Sequence, residues 1–204
     1  MDRREAIKRT ALISGLAVSH SLIAAMMQGC KVDKAPDWTP SYLTPEEAEQ
    51  VAAMAETILP KTDTPGAKDV FVDRYIDLVA QDCLEPEEQA KFKESLAEAN
   101  AAAMKAHSKN FAACTPEEQL ALLTTIDQAA KQKVEDNKLL PPPADEVEAM
   151  ARNPAFLQFK QMVFAGFFSS EEIGKNVLAY DPIPGEYIAC GDLQTLTGGK
   201  VWTL

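Results

Sequence analysis

The tetrapeptide Thr44-Pro45-Glu46-Glu47 returns as Glu85-Pro86-Glu87-Glu88 and as Thr115-Pro116-Glu117-Glu118, and it leaves the backbone little choice. Proline lacks an amide hydrogen and has a fixed φ, so it fits the first helical position, where that hydrogen would go unused. A Thr before it can accept from the third helical N–H, and a Glu at that third position can reach back to the cap and close a capping box. Glutamates in a first turn also face the positive end of the helix dipole. Each tetrapeptide therefore predicts a helix start, and its carboxylates are read as dipole partners, not as acid–base catalysts.

The residues that follow keep helical spacing. Ala48, Val51, Ala52, Ala55 and Ile58 form one face after the first start, and Pro60 ends that run. Val72, Ile76, Val79 and Cys83 predict a second helix. The stretch "EPEEQAKFKESLAEANAAAMKAH" is rich in alanine, the best helix former. A fourth helix is expected from "CTPEEQLALLTTIDQAAKQKV". The intervals between starts are too irregular for a solenoid. Pro141, Pro142 and Pro143 then force an extended segment before a short helix. After Pro154, Phe156, Phe159 and Val163 make one stripe that Phe164 and Phe168 widen. This is expected to be the central core helix, with a partner-facing aromatic patch as the rival reading. The tail "YDPIPGEYIACGDLQTLTGGKVWTL" is punctuated by Pro and Gly and predicts loop, with at most a short hairpin. The expected fold is an all-α, single-domain helical bundle over residues 31–204 with an extended Pro/Gly-rich C-terminal loop segment.

Residues 1–30 differ in kind. The chain of 204 residues carries 20 Lys+Arg against 31 Asp+Glu, yet Arg3, Arg4, Lys8 and Arg9 crowd its start. An uncharged run from residue 11 to 27 follows, interrupted by Ser14, Ser19, His20 and Ser21, and it falls short of the ~20 predominantly apolar residues of a membrane span. A basic head, an uncharged run and a small residue at the break make an export signal. The Arg3-Arg4 pair predicts a twin-arginine signal of the kind that exports folded proteins. "MQGC" resembles a loose lipobox, which makes Cys30 a lipidation candidate; an ordinary signal cut after Gly29 is the alternative.

The acidic remainder offers no Lys/Arg stripe for phosphates, so nucleic acid is excluded as a partner. Cys30, Cys83, Cys114 and Cys190 include no CxxC pair, so a zinc ribbon, a thioredoxin-like site and c-type haem attachment on this chain lack support. If Cys30 carries lipid, at most one intramolecular disulfide remains in an oxidising compartment. Cys83 with Cys190 is the expected pair, leaving Cys114 buried. Outside the signal His107 is the single histidine, set in polar "KAHSKN" and read as a surface residue. GxSxG, HExxH and GxxxxGK[ST] are absent, as is a strand followed by GxGxxG. No catalytic, cofactor-binding or metal residues are expected, which points to a protein that works by binding another.

The motifs "LTPEEAEQVAAMAETILPKTDTPGAKDVFVDRYIDLVAQDC", "TPEEQLALLTTID", "FKQMVFAGFFSSEEIG" and "YDPIPGEYIACGDL", with the RR-bearing signal, resemble the gluconate 2-dehydrogenase subunit 3 family. These are the small subunits of bacterial flavin-dependent membrane dehydrogenases. The resemblance implies a helical accessory subunit that binds a large FAD-binding subunit of the glucose-methanol-choline (GMC) type. It further implies that the chain supports that subunit's folding and twin-arginine export, with a c-type cytochrome completing the complex. FAD would sit on the partner and no cofactor on this chain, at the periplasmic face of a membrane. A free-standing envelope lipoprotein or scaffold without a flavoprotein is the alternative.

Chemistry and resemblance together suggest the interface. Pro60, Asp63, Pro65 and Gly66 lie in a rigid loop whose Thr62, Asp63 and Thr64 can bond neighbouring backbone. Pro182 and Pro184 stiffen an extended segment that holds Asp181 and Gly185, and Tyr180 and Tyr187 are aromatics of the kind enriched in hot spots. For both segments the simpler role is packing within the chain itself.

Overall fold

The computed structural model describes residues 38–204, excepting 184, 187, 189 and 204. The unit Pro40–Leu204 is all-α. Its helices are α1 (Pro45–Ile58), α2 (Val72–Asp82), α3 (Pro86–His107), α4 (Pro116–Asn137), α5 (Glu146–Arg152), α6 (Ala155–Phe168) and α7 (Leu193–Thr197). A 3-10 turn at Phe111–Ala113 precedes α4, and a π-helical turn at Ile173–Val177 follows α6.

The helix starts form as their chemistry predicts. Thr44 Oγ1 accepts from Glu47 N at 3.2 Å while Glu47 Oε2 accepts from Thr44 N at 2.9 Å. Thr115 and Glu118 repeat the exchange at 3.3 and 2.8 Å, and Glu85 N donates to Glu88 Oε2 at 3.0 Å. The prolines occupy the first turns of α1, α3 and α4. Two of the glutamates also act beyond their own helices. Glu47 pairs with Lys93 of α3 at 2.6 Å, and Glu118 lies 3.4 Å from His107 Nδ1 and 3.6 Å from Lys109 Nζ.

α6 is the central helix, packed against α1, α2, α3 and α4. Phe156, Phe159, Val163 and Phe167 are buried on it, and the Phe159 ring stacks on Phe92 of α3 at 6.2 Å. Phe164 and Phe168 do not widen the core stripe as expected: Phe164 is exposed, Phe168 is half-buried and the two rings lie 6.4 Å apart. Phe167, between them in sequence, turns inward.

A buried polar chain ties the bundle crosswise. Gln50 of α1 donates to Leu96 O at 2.7 Å and accepts from Asn100 of α3 at 2.7 Å. Asn100 Oδ1 in turn accepts from Phe111 N at 2.9 Å. Gln119 of α4 donates to the carbonyls of Phe111 and Cys114 at 3.1 and 3.2 Å. Among the described residues no buried side-chain nitrogen or oxygen lacks a partner, as burial of polar groups requires.

Asp77 of α2 is fully buried. Its carboxylate accepts from Ser41 N at 2.7 Å, Tyr42 N at 3.0 Å and Leu43 N at 2.8 Å. Three successive N–H groups aimed at one anion are a backbone nest, and this one fixes the chain's approach to α1.

The C-terminal segment departs from the expected loop, with at most a short hairpin, by carrying a further short helix. It forms α7, capped by Asp192 Oδ1, which accepts from Thr195 N at 2.9 Å, and closed by Gly198 at φ +65°. The segment then returns to pair Trp202 with Ala179 in a parallel bridge, Ala179 N donating to Val201 O and Thr203 N to Ala179 O at 2.9 Å. A hairpin is antiparallel by construction; here the helix reverses the chain, so the pairing comes out parallel. Among the described residues, no helix is long and apolar enough to cross a membrane.

Candidate functional site

The loop between α1 and α2 is a built structure. Glu56, in the last turn of α1, receives Lys61 N at 3.0 Å on one carboxylate oxygen and Lys68 N at 2.9 Å on the other. Its carboxylate thus spans the loop from inside. Ala67 N donates to Leu59 O at 2.9 Å, closing the loop at its neck. Gly66 N donates to Asp69 Oδ2 at 3.0 Å, and Lys61 Nζ meets the same oxygen at 3.0 Å. The bond from Gly66, with the Lys61 ammonium, holds the Asp69 carboxyl below its usual range. Gly66 is required by space: a Cβ there would lie 2.5 Å from Glu56 Oε1 and 2.6 Å from Lys61 N. Thr62 N donates to Thr64 O at 3.0 Å, and Thr64 N returns to Thr62 Oγ1 at 3.4 Å.

This loop forms one wall of a groove of about 710 Å³. Thr62, Asp63, Thr64 and Pro65 on one side and Ser170, Glu171, Glu172, Lys175 and Asn176 on the other line it, and Phe71, between them in the chain, is also in its lining. The far wall is formed by the turn that follows α6 together with the π-helical turn. Lys175 donates to Glu171 at 2.6 Å, which holds the Glu171 carboxyl below and the Lys175 ammonium above their usual ranges. The buried Ile173 and Gly174 seat the turn. A Cβ on Gly174 would lie 2.9 Å from Thr203 Oγ1, so the returning C-terminus closes against this wall.

The predicted interface residues divide between two places. Pro60, Asp63, Pro65 and Gly66 belong to the rigid loop; Pro60 and Asp63 are exposed, Pro65 is half-buried and Gly66 is buried. Tyr180, Asp181, Pro182 and Gly185 are exposed in the segment after the π-helical turn. Asp181 Oδ1 accepts from Ile183 N at 3.1 Å, an Asx turn. Asp181 and Gly185 line a second cavity, of about 620 Å³, with Ile188, Leu196 and Trp202. Pro184 and Tyr187, like Arg3, Arg4 and Cys30, lie outside the described residues.

The expected disulfide is not formed: Cys83 and Cys190 are exposed free thiols, whereas Cys114 is buried. α2 runs antiparallel to α6. Phe71, at the start of α2, shares the groove with residues 170–176, while Val79 and Leu84, at its end, lie with Asn153 and Gln158 at the start of α6. Cys83 therefore sits at the end of α2 opposite the one that shares the groove. Cys83 also fails to extend the buried stripe of α2, which runs through Val72, Ile76 and Ala80.

Several site residues gave no sequence signal. Glu56 reads as an ordinary helix surface residue, although its position just before a loop rich in unpaired N–H groups is a usable clue. Asp69, Phe71, Glu172 and Lys175 become neighbours of the loop through packing. Among the described residues no three His, Cys, Asp or Glu side chains gather as metal ligands do.

The comparisons with known proteins bear on this arrangement. A family model described as Gluconate 2-dehydrogenase subunit 3 matches residues 45–185, a span that contains both walls of the groove. No curated protein and no solved structure matches the chain.

Proposed function

The chain belongs to the gluconate 2-dehydrogenase subunit 3 family, and from that premise we propose that it is the non-catalytic small subunit of a membrane-associated, FAD-dependent sugar or alcohol dehydrogenase. It binds a large GMC-type flavoprotein subunit, which holds the FAD, and supports that subunit's folding and export. Arg3 and Arg4 supply the twin-arginine address for the pair. The complex works at the periplasmic side of a membrane, held through lipid on Cys30 or through a c-type cytochrome partner.

The observation that carries this reading is the groove between residues 60–66 and 170–176. Both walls come from the family-matched span, and the loop is fixed in advance by Glu56 and Asp69. A surface already ordered loses little conformational entropy when a partner docks, so more of the contact energy appears as affinity. The adjoining segment offers Tyr180 and Ile183 to solvent, apolar side chains that a protein partner would cover.

The test is to express the full chain with a C-terminal tag in its native host, solubilise the membranes gently, purify, and record the visible spectrum and accompanying bands. The expected result is flavin absorbance with a large second polypeptide, both lost from the membrane fraction when Arg3 and Arg4 are replaced by Lys. A colourless, solitary protein would overturn the reading and leave an envelope lipoprotein without a flavoprotein.

A further inference from the structure

α2 presents a second, outward stripe. Phe71, Tyr75 and Leu78 are 45%, 36% and 52% exposed; the i, i+3 spacing of Tyr75 and Leu78 puts them along one side of the helix, and Phe71 stands at its N-cap. Phe71 lines the groove described above, and Tyr75 lines a neighbouring one of about 360 Å³ with Met162 and Ala165 of α6. Tyr75 lies so close over Gly166 that a Cβ there would meet its ring at 2.6 Å. Phe71 and Tyr75, one helical turn apart, thus border the two grooves.

Phe71 is the unusual member. Its backbone is left-handed, at φ +56° and ψ 41°, a conformation that Gly and Asn adopt far more readily than a bulky side chain. Within this chain the ring gains only partial burial and the Arg74 guanidinium at 4.3 Å from its centre. Strain of this kind persists where the surroundings impose it and gathers at binding surfaces.

The groove is also electrostatically incomplete. Its two ammoniums are taken, Lys61 by Asp69 at 3.0 Å and Lys175 by Glu171 at 2.6 Å. Asp63 and Glu172 remain, and among the described residues neither has a cation partner. A second copy of this chain is a poor occupant, since each copy carries a formal charge of -11.

We propose that this surface receives a segment of the flavoprotein subunit that is apolar and carries Lys or Arg side chains. Its cations meet Asp63 and Glu172, and its apolar side chains cover Phe71, Tyr75 and Leu78. The inference rests on the small-subunit reading and adds where the partner docks and by what chemistry.

The test uses the full, tagged chain and the flavoprotein that accompanies it, read as flavin captured per tagged chain. The double reversal Asp63→Lys with Glu172→Lys should lower capture at least about tenfold at moderate salt, because like charges across an interface repel and slow association. Phe71→Asn should also lose capture while the chain's own Tm holds or rises, since Asn accepts the left-handed backbone; a merely structural Phe71 would give the opposite pair of results. Zero-length carbodiimide coupling of the wild-type complex should join Asp63 or Glu172 to a lysine of the flavoprotein. Undiminished flavin capture by both variants overturns this docking surface and leaves the small-subunit reading intact. Joining of Asp63 or Glu172 to a second copy of this chain overturns it as well. A wild-type chain that captures no flavin overturns the parent reading and this inference with it.

Discussion

Replacing Asp77 by Ala removes the acceptor of three consecutive N–H groups while changing little else, because the carboxylate's bonds all run to residues 41–43. Hydrogen bonds to a charged acceptor contribute about 1.5–3 kcal/mol each. The Leu43 bond is buried and the other two are partly buried, so water replaces part of what Ser41 and Tyr42 lose. The net cost is then about 3–5 kcal/mol. At ~2–4 °C per kcal/mol for a chain of this size, Tm should fall by roughly 6–20 °C. Asp77→Asn keeps one carbonyl acceptor but sets an NH2 group among donors, and it should lose somewhat less. Guanidinium unfolding followed by far-UV circular dichroism gives the free energies, and amide exchange at Ser41, Tyr42 and Leu43 reports the local opening. A loss below ~1 kcal/mol for Asp77→Ala, with those three amides still protected, would refute the assignment of the nest as a structural anchor.

Two further perturbations separate the loop from the bundle. Gly66→Ala places a methyl 2.6 Å from the Lys61 backbone nitrogen, and overpacking of this kind costs about 1–3 kcal/mol; an unchanged Tm by scanning calorimetry would mean that the loop yields freely. Asp127 is bonded to Lys131 at 2.6 Å and to Lys160 of α6 at 2.8 Å. Burial pushes its carboxyl up, but the two ammoniums together outweigh that and hold it below the usual range. A carboxyl depressed in the folded state stabilises fully above its unfolded value, about 3.9, and that contribution is lost as pH falls through the folded value. Lys160→Met should therefore cost about 0.5–1 kcal/mol near neutral pH, a deficit that shrinks as the medium is acidified below the ordinary carboxylate range. Urea melts at the two pH values check this, and an equal deficit at both would refute it.

The sequence alone marks the starts of α1, α3 and α4, because a cap is a matter of four adjacent residues. Thr44 finds Glu47, and Thr115 finds Glu118, whatever the rest of the chain does. It also marked α6 as the core, since Phe156, Phe159 and Val163 at helical spacing have nowhere else to go. The same local logic, read fully, would have found α7 from Asp192 and Gly198, which bracket it as cap and stop.

What only the tertiary structure decided are the contacts between residues far apart in the chain. Asp77 sits between Ile76 and Leu78 like any polar residue of a helix face, and nothing nearby says that it will be buried against residues 41–43. Gln50, Asn100 and Gln119 carry no local mark of burial and form the crosswise polar chain, because a buried amide is stable only where packing brings it a partner. Cys83 looked like a core position of α2 and a disulfide partner for Cys190. In the fold it is an exposed free thiol, off the buried stripe of its own helix. The groove follows the same rule. Its loop was legible from Pro60, Pro65 and Gly66, but its far wall, the place of Phe71 in its lining and its uncompensated charges exist because folding brings residues 60–66 and 170–176 face to face.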